Sequence, residues 1–493
     1  MTGSRFLKLF FFSVLVLCFF LPTEGNTTSP AEIVVKIQTV RNSPNFQQPW
    51  QHVGQLTTHG TGFIIDGNMI LTNAHVVSDS VFIHVRRAGR TEKYSAEVKY
   101  FDHESDLALL EVAEKKFFKG VSTLKIGDLP DVRDKVAVYG FPDGGDKLSI
   151  TEGVVSRIEH INYAYSGSFL LSCQIDASIN AGNSGGPVIF NGKIAGVAFQ
   201  GMHSGYDNIG YMIPAPVIQQ FLKDTEDGSI EGIPDLGISM QKLESPYLRN
   251  YYKLEDGENG ALINNISPGS PSRMLLKKED VILSVENEDV AYDGTIEFRK
   301  GQRTFFGYII QGKQIGETIT LGLKRDGKKI SIEVPLQRSV GFDRLVPYKH
   351  EVLPRYYIFG GVVFQPLTLN YLMEYGSVAD WYQSAPVELM DYYLNGDLEF
   401  QTQEIVILSQ VLADKVNIGY HELADNVIKT VNGVAVRNFA HLVTLLENSR
   451  EKYLIIMDTQ GTKIVFDKEK MLKGTNNIIR KYMIKSAKHF WSP

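Results

Sequence analysis

A serine among glycines, a histidine at a strand end and an aspartate opening an apolar run are the residues of this chain best suited to covalent chemistry. Ser184 lies in Asp176-Ala-Ser-Ile-Asn-Ala-Gly-Asn-Ser-Gly-Gly-Pro-Val188, with Gly182, Gly185 and Gly186 beside it. Glycine lets backbone turn tightly and present N–H groups to a substrate carbonyl without a Cβ in the way. Taken alone, such a run is more often a turn than a nucleophile. His75 follows a strand-like run in Ile70-Leu-Thr-Asn-Ala-His-Val-Val77, and Asp106 opens Ser105-Asp-Leu-Ala-Leu-Leu110. A lone histidine is more often structural, and an aspartate before a strand is more often a turn residue. Together the three supply a nucleophile, a base to take its proton and an acid to orient that base.

The chain order His, Asp, Ser is that of chymotrypsin-type proteases and differs from the orders of subtilisins and α/β-hydrolases. The three motifs resemble those of the Deg/HtrA (Do-like) serine proteases, closest to the plant-type branch with two PDZ domains. Pro142-Asp-Gly-Gly-Asp146, Gly153-Val-Val-Ser-Arg-Ile158, Asn208-Ile-Gly-Tyr211 and Leu408-Ser-Gln-Val-Leu412 fit that branch. The resemblance implies that His75 is the general base, Asp106 its orienting acid and Ser184 the nucleophile. Backbone N–H groups of Gly182 and Ser184 are the expected oxyanion pair, with the Asn183 N–H pointing elsewhere.

The approach to the nucleophile, Ala177-Ser-Ile-Asn180, carries no acidic residue for the floor of an S1 pocket. A preference for small or medium aliphatic P1 residues is therefore expected. Ile179, Val197, Ala198, Phe199, Ile209, Gly210 and Tyr211 resemble the family's S1 walls; read without the resemblance, they are buried strand.

A chain of 493 residues suits about three domains, and its 43% hydrophobic and 22% charged content is that of a soluble globular protein. The net charge of −6 with no sustained basic block disfavours nucleic acid as a partner. Arg5 and Lys8 precede the apolar run Leu9 to Leu21, and small residues follow at Thr23-Glu-Gly25. Residues 1–25 thus read as a cleaved signal peptide, placing the protein in the periplasm or outside the cell, with no stable membrane span after cleavage. After cleavage Cys173 is the remaining thiol, so no intrachain disulfide is possible, and burial in its strand is expected. Histidines at 52, 59, 84 and 103 lack the spacing of a zinc site, and no metal or cofactor is implied. Gly307-Tyr-Ile-Ile-Gln-Gly-Lys313 continues with Gln314 and so fails as a phosphate loop, leaving ATP dependence unsupported. Asn26-Thr-Thr28 and Asn265-Ile-Ser267 are glycosylation sequons if the host glycosylates secreted proteins.

The elements that must position this chemistry are short β-branched runs between Gly, Asp and Pro turns: Glu32 to Val40, Gly62 to Ile65, Val81 to Arg86, Val136 to Gly140 and Lys193 to Phe199. That rhythm is the one of antiparallel barrels. The expected fold is mainly β, a chymotrypsin-like double β-barrel (residues 31–228) followed by two PDZ (α+β) domains. His75 and Asp106 belong to the first barrel and Ser184 to the second. Asn42 to His59 reads as a surface loop, by resemblance regulatory or trimer-contacting.

A polar linker at 224–234 precedes the first PDZ domain (232–340). There Leu236, Gly237 and Ile238 resemble the family's carboxylate-binding loop, and Glu279 stands where the family usually has glycine. A second PDZ-like domain (350–470) carries an aromatic insertion, Leu369 to Leu398, suited to contacts between subunits, and residues 471–493 form a basic tail. The resemblance implies an ATP-independent endopeptidase of protein quality control and stress response, assembled as a homo-oligomer from trimers. It would act on unfolded proteins and take peptide C-termini. A chaperone or peptide-binding scaffold with gated proteolysis is the alternative.

Overall fold

The computed structural model describes residues 29–201, 209–338, 344–377 and 380–490. The leader and the first sequon lie outside these residues. Six strands close the first barrel: β1 (Val34–Arg41), β2 (Leu56–Ile65), β3 (Met69–Thr72), β4 (Ser80–Arg87), β5 (Tyr94–Asp102) and β6 (Leu107–Glu111), in the order β1-β2-β3-β6-β5-β4. A second barrel follows from β7 (Lys135–Gly140), β8 (Ser149–Asn162), β9 (Phe169–Ile175), β10 (Pro187–Phe190), β11 (Lys193–Gly201) and β12 (Gly210–Pro214), in the order β10-β11-β12-β9-β8-β7. Closure pairs every edge, so each barrel needs one inward apolar face per strand. Val35 pairs with Gly62 and Ile37 with Gly60 across β1 and β2; Val35, Ile37, Phe63 and Val85 are fully buried. A single helical turn, α1 (Ala74–Val77), leaves β3 and carries His75. Cys173 is buried in β9 as expected, and burial raises its thiol pKa, which leaves it unreactive.

Both PDZ modules are sheets capped by helices. In the first, strands Ile238–Lys242, Ala261–Ile266, Val281–Val285, Thr318–Arg325 and Lys328–Pro335 lie side by side in that order. Glu279 adopts φ 72°, the left-handed conformation that a glycine takes without penalty and that costs other residues about 1 kcal/mol. The second sheet runs from Lys463–Asp467 to Tyr356–Phe359 and then takes in Lys488–His489. The tail set apart at residue 471 is therefore built into this module. Met471 and Ile478 of the helix Lys468–Lys481 are buried, and His489 pairs with Tyr356. An amphipathic helix ending in a strand finds more apolar surface to cover here than a solvated tail would.

Two segments expected to face outward also make contacts within the chain. Phe46, from the polar 42–59 segment, is buried in a cluster with Leu367, Tyr371 and Leu372 of the second module, and the Phe46 N–H donates to Glu374 Oε1 (3.1 Å). Trp50 packs edge-on against Tyr356 at 6.0 Å. The same cluster absorbs Leu369, Tyr371, Trp381, Leu389 and Tyr393, so the aromatic insertion packs largely within its own chain.

The linker is also held. Asp224, at the end of α2 (Ala215–Asp224), accepts from the N–H groups of Glu231 and Gly232, and the Ile233 N–H donates to Glu104 Oε2 at 3.2 Å. Burial of Glu104, with the Asp102 charge beside it, outweighs the Arg338 guanidinium and pushes its carboxyl up to about 8. The folded state then keeps a proton that the unfolded chain releases at ordinary carboxylate pH, so this group's contribution to stability falls as pH rises from about 4.5 to about 8 and is flat above. Glu104→Gln should flatten that part of the curve of melting temperature against pH, measured by calorimetry between pH 5 and 9; an unchanged slope would show that Glu104 is ionised in the fold.

Candidate active site

Asp106 grips the segment that carries His75 with every oxygen it has. Its Oδ2 lies 2.6 Å from His75 Nδ1, and its Oδ1 accepts from the His75 backbone N–H at 2.9 Å. Its main-chain carbonyl accepts from the Ala74 N–H (3.1 Å) and from Asn73 Nδ2 (2.9 Å). To do this Asp106 sits at φ 56°, a conformation aspartate tolerates better than most residues. The Asp106 side chain is 1% exposed, whereas the His75 side chain is 29% exposed. The imidazole is thus held on its Nδ1 side and open on the other, which is the geometry of a base oriented by a buried acid.

The Ser184 loop closes the cleft from the second barrel. Gly182 has φ 93° and Gly185 φ 85°. The Asn183 N–H donates to Asn180 O (3.0 Å), Gly185 N–H to Ala198 O (2.8 Å) and Gly186 N–H to Asn183 O (2.9 Å). Among the described residues, neither the Gly182 N–H nor the Ser184 N–H donates to a protein acceptor, so the two groups expected to hold an oxyanion are available. Ser184 Oγ donates to Phe199 O at 3.3 Å, and no hydrogen bond joins it to His75 among the described residues.

Thr61 was invisible as a site residue in the sequence. Its N–H donates to Ser184 O (2.9 Å), its Oγ1 donates to Gly182 O (2.6 Å), and that same Oγ1 accepts from the Phe141 N–H (3.0 Å). The signal available was its place in the polar, glycine-flanked stretch His59-Gly-Thr-Gly62, where small residues allow close approach of backbones.

The expected S1 residues separate into two groups. Ile179, Phe199 and Tyr211 are buried beside the nucleophile loop, Ile209 is half-buried, and Ile179 packs so closely on Gly210 that a Cβ there would stand 2.8 Å from its side chain. Val197 and Ala198 are fully buried in two separate core clusters. Val197 shares its cluster with Phe199 and Tyr211, and Ala198 shares its own with Ile179, as alternation along the strand places Val197 and Phe199 on one face and Ala198 on the other; the Ala198 backbone bonds the loop at Gly185 and Gly186.

In the first PDZ domain, Leu236 is buried in the core, Gly237 takes φ 63° and Ile238 opens a strand. Asp235 Oδ1 accepts from the N–H groups of both Leu236 (2.6 Å) and Gly237 (3.2 Å). Two donors of the expected carboxylate-binding loop are therefore occupied by a carboxylate of the chain itself. No group of three or more His, Cys, Asp or Glu side chains arranged to hold a metal ion occurs among the described residues.

Comparison with known proteins agrees with this architecture. A trypsin-like peptidase domain matches residues 60–197, and PDZ domains match residues 234–336 and 346–489. Protease Do-like 4, mitochondrial, of Arabidopsis thaliana is 38% identical over 95% of this chain and 87% of its own length. Protease Do-like 2, chloroplastic, from the same plant is 38% identical over 95% of this chain and 76% of its own length. A variant of the HtrA-type protease AlgW solved with a decapeptide shares the fold, with a TM-score of 0.50 and 22% identity over 62% of this chain and 94% of that one. With a chymotrypsin-like pair of barrels, two PDZ modules and relatives of this extent, the chain belongs to the Do-like (Deg/HtrA) family of serine proteases.

Proposed function

We propose that the protein is an ATP-independent endopeptidase in which Ser184 attacks a peptide carbonyl, His75 takes the serine proton and passes it to the leaving amine, and Asp106 fixes the imidazole and stabilises its charged form. The observation that carries this reading is the Asp106 carboxylate bridging His75 Nδ1 and the His75 N–H, with the far side of the ring open towards the cleft. Gly182 and Ser184 N–H groups would receive the oxyanion. For the reaction to begin, Ser184 Oγ must leave Phe199 O and turn to His75, a rotamer change that bound substrate can drive. The apolar Ile179, Phe199 and Tyr211 support small or medium aliphatic P1 residues.

Unfolded or damaged proteins are the proposed substrates, in keeping with the peptide bound to the AlgW relative. Capture of free C-termini by the first PDZ domain would require Asp235 to release Leu236 and Gly237. Assembly through trimers is supported by exposed Leu56, Val81 and Phe82, gathered where β2 and β4 flank the end of β1. Residues 1–25 are read as a cleaved export leader. The names of the relatives point instead to mitochondria or chloroplasts, and fusing residues 1–30 to a fluorescent protein would show whether it enters the secretory route or an organelle.

Casein digestion by the full chain tests the main reading. Ser184→Ala should lower the rate by roughly 10⁶-fold, to background. Asp106→Asn should keep the fold and lower kcat by about 10⁴-fold, because the wrong imidazole tautomer then faces the serine. Wild type that leaves casein intact while suppressing its aggregation as well as Ser184→Ala does would favour the chaperone alternative.

A further inference from the structure

Resting on the protease reading, we propose that Tyr165 is a positioning residue for His75, and that it acts together with the segment 344–353, which straps the catalytic turn from behind. The helix carrying His75 is one turn long. So short a helix has no stability of its own, and its direction must be set by what holds it. Asp106 holds it through the His75 ring and backbone. Beyond it, the residues that end the turn meet a cluster drawn from distant parts of the chain.

The hydrogen bonds of that cluster meet on one hydroxyl. Ser78 follows α1, and its N–H and Oγ both donate to Ala74 O, each at 2.9 Å. The Tyr165 hydroxyl lies 2.6 Å from Ser78 Oγ, and the same oxygen lies 2.9 Å from His103 Nδ1 and 3.1 Å from His350 Nδ1. The two histidine rings stack at 4.1 Å with 11° between planes, and Tyr348 packs on His350 at 4.5 Å. Burial lowers His103 to about 4 and His350 to about 3, so the stacked pair is uncharged near neutrality. The Tyr165 ring itself stands 5.8 Å from the His75 ring.

One residue further along the strap, Glu351 Oε1 accepts from the Asp79 N–H at 2.8 Å. Asp79 takes φ 52° at the start of β4, and its Oδ2 accepts from Ser43 Oγ (2.7 Å). The strap is anchored by buried Leu345 and Val346. Thus Ser78 and Asp79, the two residues that end the catalytic turn, are each bonded to a partner in or beside the strap. A displacement of that turn by an ångström would carry His75 Nε2 out of reach of the serine. Misplacement on this scale costs up to about 100-fold in rate without weakening substrate binding.

The test uses the full chain, at a temperature well below each variant's melting point. The rate of Ser184 labelling by a fluorophosphonate probe is measured together with kcat and KM on an unstructured peptide. Tyr165→Phe keeps the ring beside His75 and deletes the shared oxygen. It should lower kcat and the labelling rate by about tenfold or more with KM within about twofold of wild type. His350→Ala should do the same in smaller measure, and His350→Gln, which restores a donor, should recover most of the loss. A kcat within about twofold of wild type in both Tyr165→Phe and His350→Ala, alongside robust wild-type labelling, would overturn the inference and leave the protease reading intact. Wild type that does not label would remove that reading and this inference with it.

Discussion

Everything at the active site depends on Thr61, a fully buried residue of the first barrel that fastens the nucleophile loop of the second. Four bonds meet on it: from its N–H to Ser184 O, from its hydroxyl to Gly182 O, from the Phe141 N–H to that hydroxyl, and from Thr72 Oγ1 to its carbonyl. The approach is so close that glycine is the residue that fits opposite. A Cβ on Gly185 would stand 2.0 Å from Thr61 O, one on Gly186 2.1 Å from Tyr139 O, and one on Gly182 2.3 Å from Phe141 O. The glycines around Ser184 therefore serve the contact between barrels as much as the turn. His75 and Ser184 stand on different barrels, and this knot keeps them in a common frame.

The same chain ties its outer modules to that frame at several points. Arg299 of the first PDZ domain donates to Pro130 O and pairs with Asp131 on the second barrel, while His160 on β8 meets Thr304 Oγ1 at 2.8 Å and Gln311 Oε1 at 3.1 Å. Phe46 reaches from the first barrel into the core of the second module. Apart from the exposed Arg299–Asp131 pair, these are buried or half-buried contacts between elements more than 140 residues apart. Movement of either module is accordingly coupled to the protease domain that carries the catalytic residues.

The chemistry was legible in the sequence because it is local: Thr-Asn-Ala-His, Ser-Asp-Leu-Ala and Gly-Asn-Ser-Gly each carry their own turn and their own side chain. The β-barrel rhythm was legible for the same reason, since alternation at Val81 to Arg86 or Lys193 to Phe199 is a property of neighbouring residues. What escaped was tertiary. Nothing next to Phe46 or Trp50 says that they dock on a distant module, nothing around Thr61 announces four bonds across a domain interface, and Asp235 closes on its own backbone with no outward sign. The tail beyond residue 471 reads as solvated because Arg480, Lys481, Lys485 and Lys488 cluster in its last part, yet Met471 and Ile478 on one helical face are enough to seat it.

The hydrogen bond between Ser184 Oγ and Phe199 O bears on how this site is controlled. At 3.3 Å between neutral groups it contributes about 1 kcal/mol or less, and the bond to His75 that would replace it contributes at least as much. A contact of that size does not hold an enzyme off. Two parts of the site are costlier to move. One is the Gly182–Asn183 peptide, whose N–H is committed to Asn180 O and whose neighbouring Asn183 Oδ1 is buried without a hydrogen-bond partner. The other is the single helical turn under His75, whose backbone has partners on both sides and little stability between them. Flipping that peptide would break the Gly182 O bond to Thr61 and disturb the flanking Gly182 and Ser184 N–H groups, and tilting the turn under His75 would displace the base. Because Thr61 links the Ser184 loop to β2 and β3, and β3 leads directly into the His75 turn, a shift in either is transmitted through a few bonds to the other.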